Sequence, residues 1–330
     1  MLRRLADEAD WWRIRDLIID TFDATPRGWN WDIRRWDGSR FHNAIVTPVE
    51  TLATTVALAD DSTGRLLGAV HDDGRGQAVF ELRPGARTLE PELLDWAETH
   101  LALPGADGTR RLAMTVYDDD AERRALLERR GWAPTDEGGW IRTMSLAPAR
   151  APLTHPPAGY AIRTTHRDAS DAERMASLLN AAFRRTIHSA AEYTTFMERS
   201  PSFDEGLNLV AVAADGTFAA HVGLSLDRRN HHAIVEPVAT HPDHRRRGLA
   251  RLLLLEGLRR AQDAGAVSAD VETGDAPAGN ALYEAVGFGG ARRMREWRSP
   301  ALPSSSEAPD GSSARMRRSS DRPRPGTSRT

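Results

Sequence analysis

The 330 residues contain no cysteine and no lysine, so all 44 basic residues are arginine. Without cysteine there is no disulfide framework, no thiolate nucleophile and no Cys-ligated metal, which fits the reducing cytoplasm where the protein is expected. Without lysine a P-loop is excluded, and the chain offers no side-chain amine of its own for modification. Aromatic residues make up only 6%. No window approaches 18 uninterrupted apolar residues, so a membrane span is not expected. Asp7 and Glu8 arrive before any apolar run, unlike a secretory signal. The net charge of −3 supplies no global basic field, and a nucleic-acid partner is not expected.

A chain of this length with 40% hydrophobic residues is expected to hold two domains, and its elements recur in order. Leu2-Arg3 with a helical pattern to Phe22 is echoed by Ile162-Arg163 with a helical pattern to Phe183. The hairpin around Asp60 to Gly64 is echoed by one around Asp215-Gly216. Ala125-Leu126-Leu127-Glu128-Arg129-Arg130-Gly131-Trp132 matches Ala281-Leu282-Tyr283-Glu284-Ala285-Val286-Gly287-Phe288 at an offset of 156. A near-constant offset over several elements indicates duplication. The expected division is residues 1–147, a linker with four prolines over 148–158, residues 159–299, and a Ser/Arg/Pro-rich tail over 300–330 that is too polar to fold. Trp140 to Leu146 is expected to finish the first unit and Arg292 to Trp297 to close the second. The tryptophans of residues 28–43 read as packing or as a cleft lining.

One stretch stands out. A strand over Ala233 to Thr240 runs into His241-Pro242-Asp243-His244 and then Arg245-Arg246-Arg247-Gly248-Leu249-Ala250-Arg251, which opens an apolar-faced helix. Free N–H groups in a helix's first turn, the helix dipole, a permissive glycine and arginine forks together suit a pyrophosphate. A Rossmann fingerprint needs three glycines, and only Gly248 is present. His221, His231, His232, His241 and His244 read as structural or exposed, and no metal-ligand set is expected.

Arg245 to Ala250 resembles the R/Q-x-x-G-x-G/A signature of the GNAT superfamily of acyl-CoA N-acyltransferases, and Asn280 to Phe288 resembles its later N-A-L-Y-E-x-x-G-F segment. The layout is similar to two-unit GNAT proteins of the mycothiol synthase type. The resemblance implies an α/β fold of two tandem GNAT-like domains, each a mixed, mostly antiparallel sheet flanked by helices, with the second sheet splayed between its fourth and fifth strands. It further implies acetyl-CoA as co-substrate, without a metal. Amides and side chains of Arg245, Arg246, Arg247, Gly248, Leu249, Ala250 and Arg251 would hold the pyrophosphate, backbone at Val238 and Thr240 the pantetheine, and Asn280 is a further cofactor contact. Tyr283 is the expected general acid. Glu236 is the candidate base, with a carboxylate paired to an arginine as the equal alternative and a water path as the other route for the proton.

In the first unit Arg83-Pro84-Gly85-Ala86-Arg87 lacks the signature spacing and Leu127 replaces Tyr283, so that unit is expected to be degenerate. The expected activity is acetyl transfer to a primary amine, a small molecule or a peptide, by a monomer or homodimer. A non-catalytic acyl-CoA sensor is the alternative.

Overall fold

A computed structural model describes residues 2–74, 76–105, 108–146 and 155–302. Most of the expected linker and all but the start of the expected tail lie outside the described residues. The first unit comprises β1 (Leu2–Arg4), α1 (Glu8–Thr21), α2 (Ile33–Phe41), α3 (Val49–Leu52), β2 (Val56–Asp60), β3 (Leu66–Asp72), β4 (Ala78–Leu82), α4 (Glu90–His100), the short pair β5 (Leu103–Pro104) and β6 (Arg110–Arg111), β7 (Ala113–Tyr117), α5 (Ala121–Arg129) and β8 (Ala133–Ser145). The second comprises β9 (Tyr160–Thr164), α6 (Ala169–Phe183), α7 (Ala190–Arg199), β10 (Asn208–Ala213), β11 (Phe218–Asp227), β12 (His232–Thr240), α8 (Leu249–Asp263), β13 (Ser268–Gly274), α9 (Pro277–Val286) and β14 (Gly290–Arg298).

The duplication is visible in atoms as well as in order. Arg3 donates to both oxygens of Asp10 at 2.5 and 2.7 Å, Asp10 also accepts from Ala6 N, and Asp7 caps α1. In the second unit Arg163 donates to both oxygens of Asp171 at 2.6 and 2.7 Å, Asp171 accepts from His166 N, and Asp168 caps α6. Each staple ties the first strand of a unit to its first helix by bidentate, charge-assisted bonds.

Strand pairing departs from the expectation that each unit closes on its own last strand. The large sheet has the order β7-β14-β8-β13-β12-β11-β10-β9. The first unit's β8 runs antiparallel to β13 over residues 139–145, and the second unit's β14 runs antiparallel to both β7 and β8. The final strands are therefore exchanged. Packing follows the exchange: Trp297 of β14 is 3% exposed in the core around α4 and α5, while Leu146, just after β8, lies in the core around α8. A third core spans the units, joining Trp11, Trp36 and Phe41 to Met175 and Phe196. Wherever β14 and β8 contribute, an edge that would otherwise expose unpaired N–H and C=O groups is covered.

Candidate active site

β12 and β13 are parallel neighbours over only three residue pairs, from His232–Ser268 to Ile234–Asp270, although each strand continues beyond them. Past Ile234 the two diverge, which is the expected splay between the fourth and fifth strands of this sheet. His241 N bonds to Ala219 O on β11 at 2.9 Å, and the register from Val238 to Thr240 is regular. Because backbone groups alternate along a strand, the N–H and C=O of Val238 and Thr240 point into the gap. A bulge in β12, where Glu236 and Pro237 stand opposite the single residue Gly223 of β11, bends the ladder, and a Cβ at Gly223 would lie 2.9 Å from the Glu236 carbonyl oxygen.

At the end of β12 the chain turns through Arg246 at φ 64° and Gly248 at φ 76° into α8. No side chain caps this helix and no acidic residue occupies its first turn. Arg246, Arg247 and Arg251 are exposed and pair with no carboxylate among the described residues, while Arg245 donates to the Ala182 carbonyl. Leu249 and Ala250 begin the helix, with Leu249 buried beneath it. Orphan amides, a positive dipole end and unpaired guanidinium groups converge on one spot, which fits a pyrophosphate group.

Tyr283, on α9, is 8% exposed, packs edge-on against Phe288 and lines the gap. Burial, then the charge of Glu236, pushes its phenol up to about 12. Asn280 is committed internally. It accepts from Arg142 Nε at 2.9 Å and donates to Gly274 O and Ala276 O, so its side chain braces the turn that presents α9. Arg142 comes from the exchanged strand β8 and also donates to Glu284 at 2.8 Å.

The gap opens into a cleft of about 1230 Å³ whose opposite wall is the first unit. Residues 28–43 read as irregular in the sequence, whereas 33–41 form α2; the cleft-lining alternative for the tryptophans of this stretch agrees with their place in this wall. Arg35 reaches across the splay to Glu272 on β13 at 2.8 Å and to Glu236 on β12 at 3.9 Å. Glu236 thus lines the cleft and also has an arginine neighbour. Burial raises Asp32, the cap of α2, to about 6; Arg35 opposes the shift and Glu236 adds to it. Trp29 and Trp31 line the cleft, whereas Trp36 is core. His221 is fully buried, pushed down to about 4 by that burial, and holds the Leu209 carbonyl, which leaves it neutral and structural.

The first unit has the corresponding gap, since β4 and β7 touch only at the Gln77–Ala113 bridge, but it is filled. The gap-facing N–H and C=O of Leu82 are both taken by the side-chain amide of Asn30, each at 2.9 Å. Glu90 and Glu92 occupy the first turn of α4, and Arg87 is neutralised by Asp120 at 2.7 Å and Glu90 at 3.1 Å while stacking on Trp29. Carboxylates thus stand where an anion would have to sit. Outside the cleft, His166, Asp168 and Asp171 come close together, and both oxygens of Asp171 serve the α6 staple.

Residues 172–288 match the acetyltransferase (GNAT) family. No curated protein matches the chain. Among solved structures, the fold is similar to a tandem GNAT protein from the clavulanic acid biosynthesis pathway, at 20% identity and a TM-score of 0.63, covering 92% of this chain and 99% of that one. It is also similar to a GCN5-related N-acetyltransferase from Sphaerobacter thermophilus, at 17% identity and a TM-score of 0.61, covering 92% and 96%. A GNAT-family acetyltransferase from Colwellia psychrerythraea gives 14% and 0.57, covering 91% and 100%.

Proposed function

We propose, for a chain whose residues 172–288 match the acetyltransferase (GNAT) family and whose fold is similar to that of a tandem GNAT protein, that it transfers acetyl from acetyl-CoA directly to a primary amine. The observation that carries this reading is that Tyr283, Glu236 and Val238 line one splayed gap, with the bare N-terminus of α8 beyond the end of the strand that carries Glu236. Acetyl-CoA supplies an acyl group already activated as a thioester. The donors on Arg246 to Arg251 suit its pyrophosphate, and the gap-facing backbone of Val238 and Thr240 suits its pantetheine amides.

A phenol held neutral by burial keeps a proton at hand for the departing sulfur. Glu236, or a water beside it, accepts the proton that the incoming ammonium must lose. Eight carboxylates, Asp32, Glu236, Asp270 and Glu272 among them, line the cleft against five arginines, a balance that favours a cationic acceptor. No cysteine is required, because nothing in this scheme passes through a covalent enzyme intermediate.

The test is thiol release from acetyl-CoA with a panel of amines, for the wild type and Tyr283→Phe. The expected loss in the variant is about 100-fold or more. Unchanged turnover removes Tyr283 from the acid role, and acetyl-CoA binding without thiol release for any amine leaves the non-catalytic sensor in its place.

A further inference from the structure

Arg34, in the first turn of α2, is 6% exposed and lines the cleft, yet makes no hydrogen bond and no ion pair among the described residues. Its guanidinium lies 4.1 Å from the Phe196 ring, and Nη1 lies over Gly38. A buried cation without a partner is costly, and its place at the positive end of a helix adds to the cost. The carboxylates near it are engaged elsewhere. Asp37 is fully buried and gives both oxygens to Arg15 at 2.8 and 3.1 Å. Glu192 gives Oε1 to His42 at 2.8 Å and His188 at 3.3 Å, and Oε2 to Ser189 N. The adjacent Arg35, by contrast, is paired with Glu272 and Glu236 at the splay. Two consecutive arginines on one helix turn point roughly 100° apart. One faces carboxylates near Tyr283, and the other has no anion.

We propose that Arg34 is a specificity residue for an acceptor that carries an anionic oxygen group, a carboxylate or a phosphate, in addition to its primary amine. The amine lies among the carboxylates beside Tyr283, and the anionic group lies on Arg34 across the cleft. This rests on reading the cleft as the acceptor site.

The test uses the full chain with acetyl-CoA and matched acceptors: β-alanine and glutamate against their carboxamides, and O-phosphoethanolamine against ethanolamine. For the wild type, kcat/KM is expected to favour the anionic member of at least one pair by about 10- to 100-fold, and the favoured pair identifies carboxylate or phosphate. Arg34→Gln is expected to bring that ratio close to one through KM for the acceptor, with KM for acetyl-CoA unmoved. Arg34→Lys, which keeps the charge, is expected to retain part of the preference and serves if the glutamine variant fails to fold. Equal use of anionic and neutral members by the wild type overturns the inference, as does a preference that survives Arg34→Gln. If no acceptor releases thiol, the transfer reading fails separately. Calorimetric binding of the same probes in the presence of CoA then decides: anionic-selective binding lost in Arg34→Gln supports the inference, and its absence overturns it.

Discussion

Arg142 Nη2 donates to Glu284 Oε1 across 2.8 Å, so a strand of the first unit grips the helix of the second that carries Tyr283. Asn280 receives a second bond from the same guanidinium. Arg142 is buried but Glu284 is 61% exposed, so water screens that pair and the hold on α9 rests more on the Asn280 bond. Arg142→Ala is expected to lower kcat by about tenfold through displacement of the phenol, while acetyl-CoA binding changes little. Steady-state kinetics alongside acetyl-CoA titration separate the two effects.

A single cofactor site per chain is expected, because Asn30 and Arg87 fill the first unit's gap. Calorimetry with acetyl-CoA should therefore give a stoichiometry near one. Gly248→Val places a β-branched residue at φ 76° in the loop entering α8 and should weaken acetyl-CoA by about tenfold or more. A stoichiometry near two would show that the first unit also binds.

Acid sensitivity follows from the paired staples. Arg3 hydrogen bonding holds Asp10 well below the ordinary carboxylate range. At Asp171 burial opposes ionisation, and Arg163 with the His166 N–H outweighs it, again lowering the group. Carboxylates depressed in the folded state contribute stability that is complete above the unfolded value near ~4 and disappears as pH falls through the folded one. The staples' share of the urea midpoint, read as the difference between the wild type and Asp171→Asn, should be flat from neutrality to about pH 5 and shrink below it. Asp171→Asn should be less stable at neutral pH and less acid-sensitive.

Asp32 has the opposite sign. Its folded-state value, raised to about 6 by burial and then by Glu236 against the pull of Arg35, means that ionisation destabilises the fold as pH rises from about 4 through 6. Asparagine caps helices as well as aspartate does. Asp32→Asn should therefore raise stability above pH 7 by about 1 kcal/mol, after discounting for partial exposure, and have no effect near pH 4. The same change removes negative charge from the acceptor side, so KM for the amine should rise. Equal melting temperatures at pH 7.5 would contradict the argument.

Trp297→Ala tests the strand exchange. Its ring is 3% exposed in the first unit's core although it belongs to the last strand of the second. The loss should be about 3–5 kcal/mol, and it should appear in probes of the first unit.

Much of this was legible in the residues. Apolar spacing located α1, α6 and α8, and the offset between Ala125–Trp132 and Ala281–Phe288 reported the duplication. Gly248 after three arginines announced the anion loop, because turn chemistry and helix ends are local properties. Pairing partners are not local. Nothing in the alternation of residues 133–145 says which strand lies beside them, so β8 was assigned to the wrong neighbours. α2 was hidden because its burial is spread over Arg34, Trp36, Asp37 and Arg40 rather than an apolar stripe. The roles of Arg34 and Arg35 depend on facing the other unit, which sequence spacing does not encode.

The exchange of β8 and β14 also sets an order of events during synthesis. β7 leaves the ribosome long before residues 290–298 exist, and β8 must wait for residues 268–274. Until then the first unit is a half-built sheet with exposed edges, the kind of species that aggregates or needs a chaperone. Contacts so distant in sequence favour slow assembly. The two halves therefore cannot mature one after the other, and the helix that carries Tyr283 receives its brace from Arg142 only when both are present.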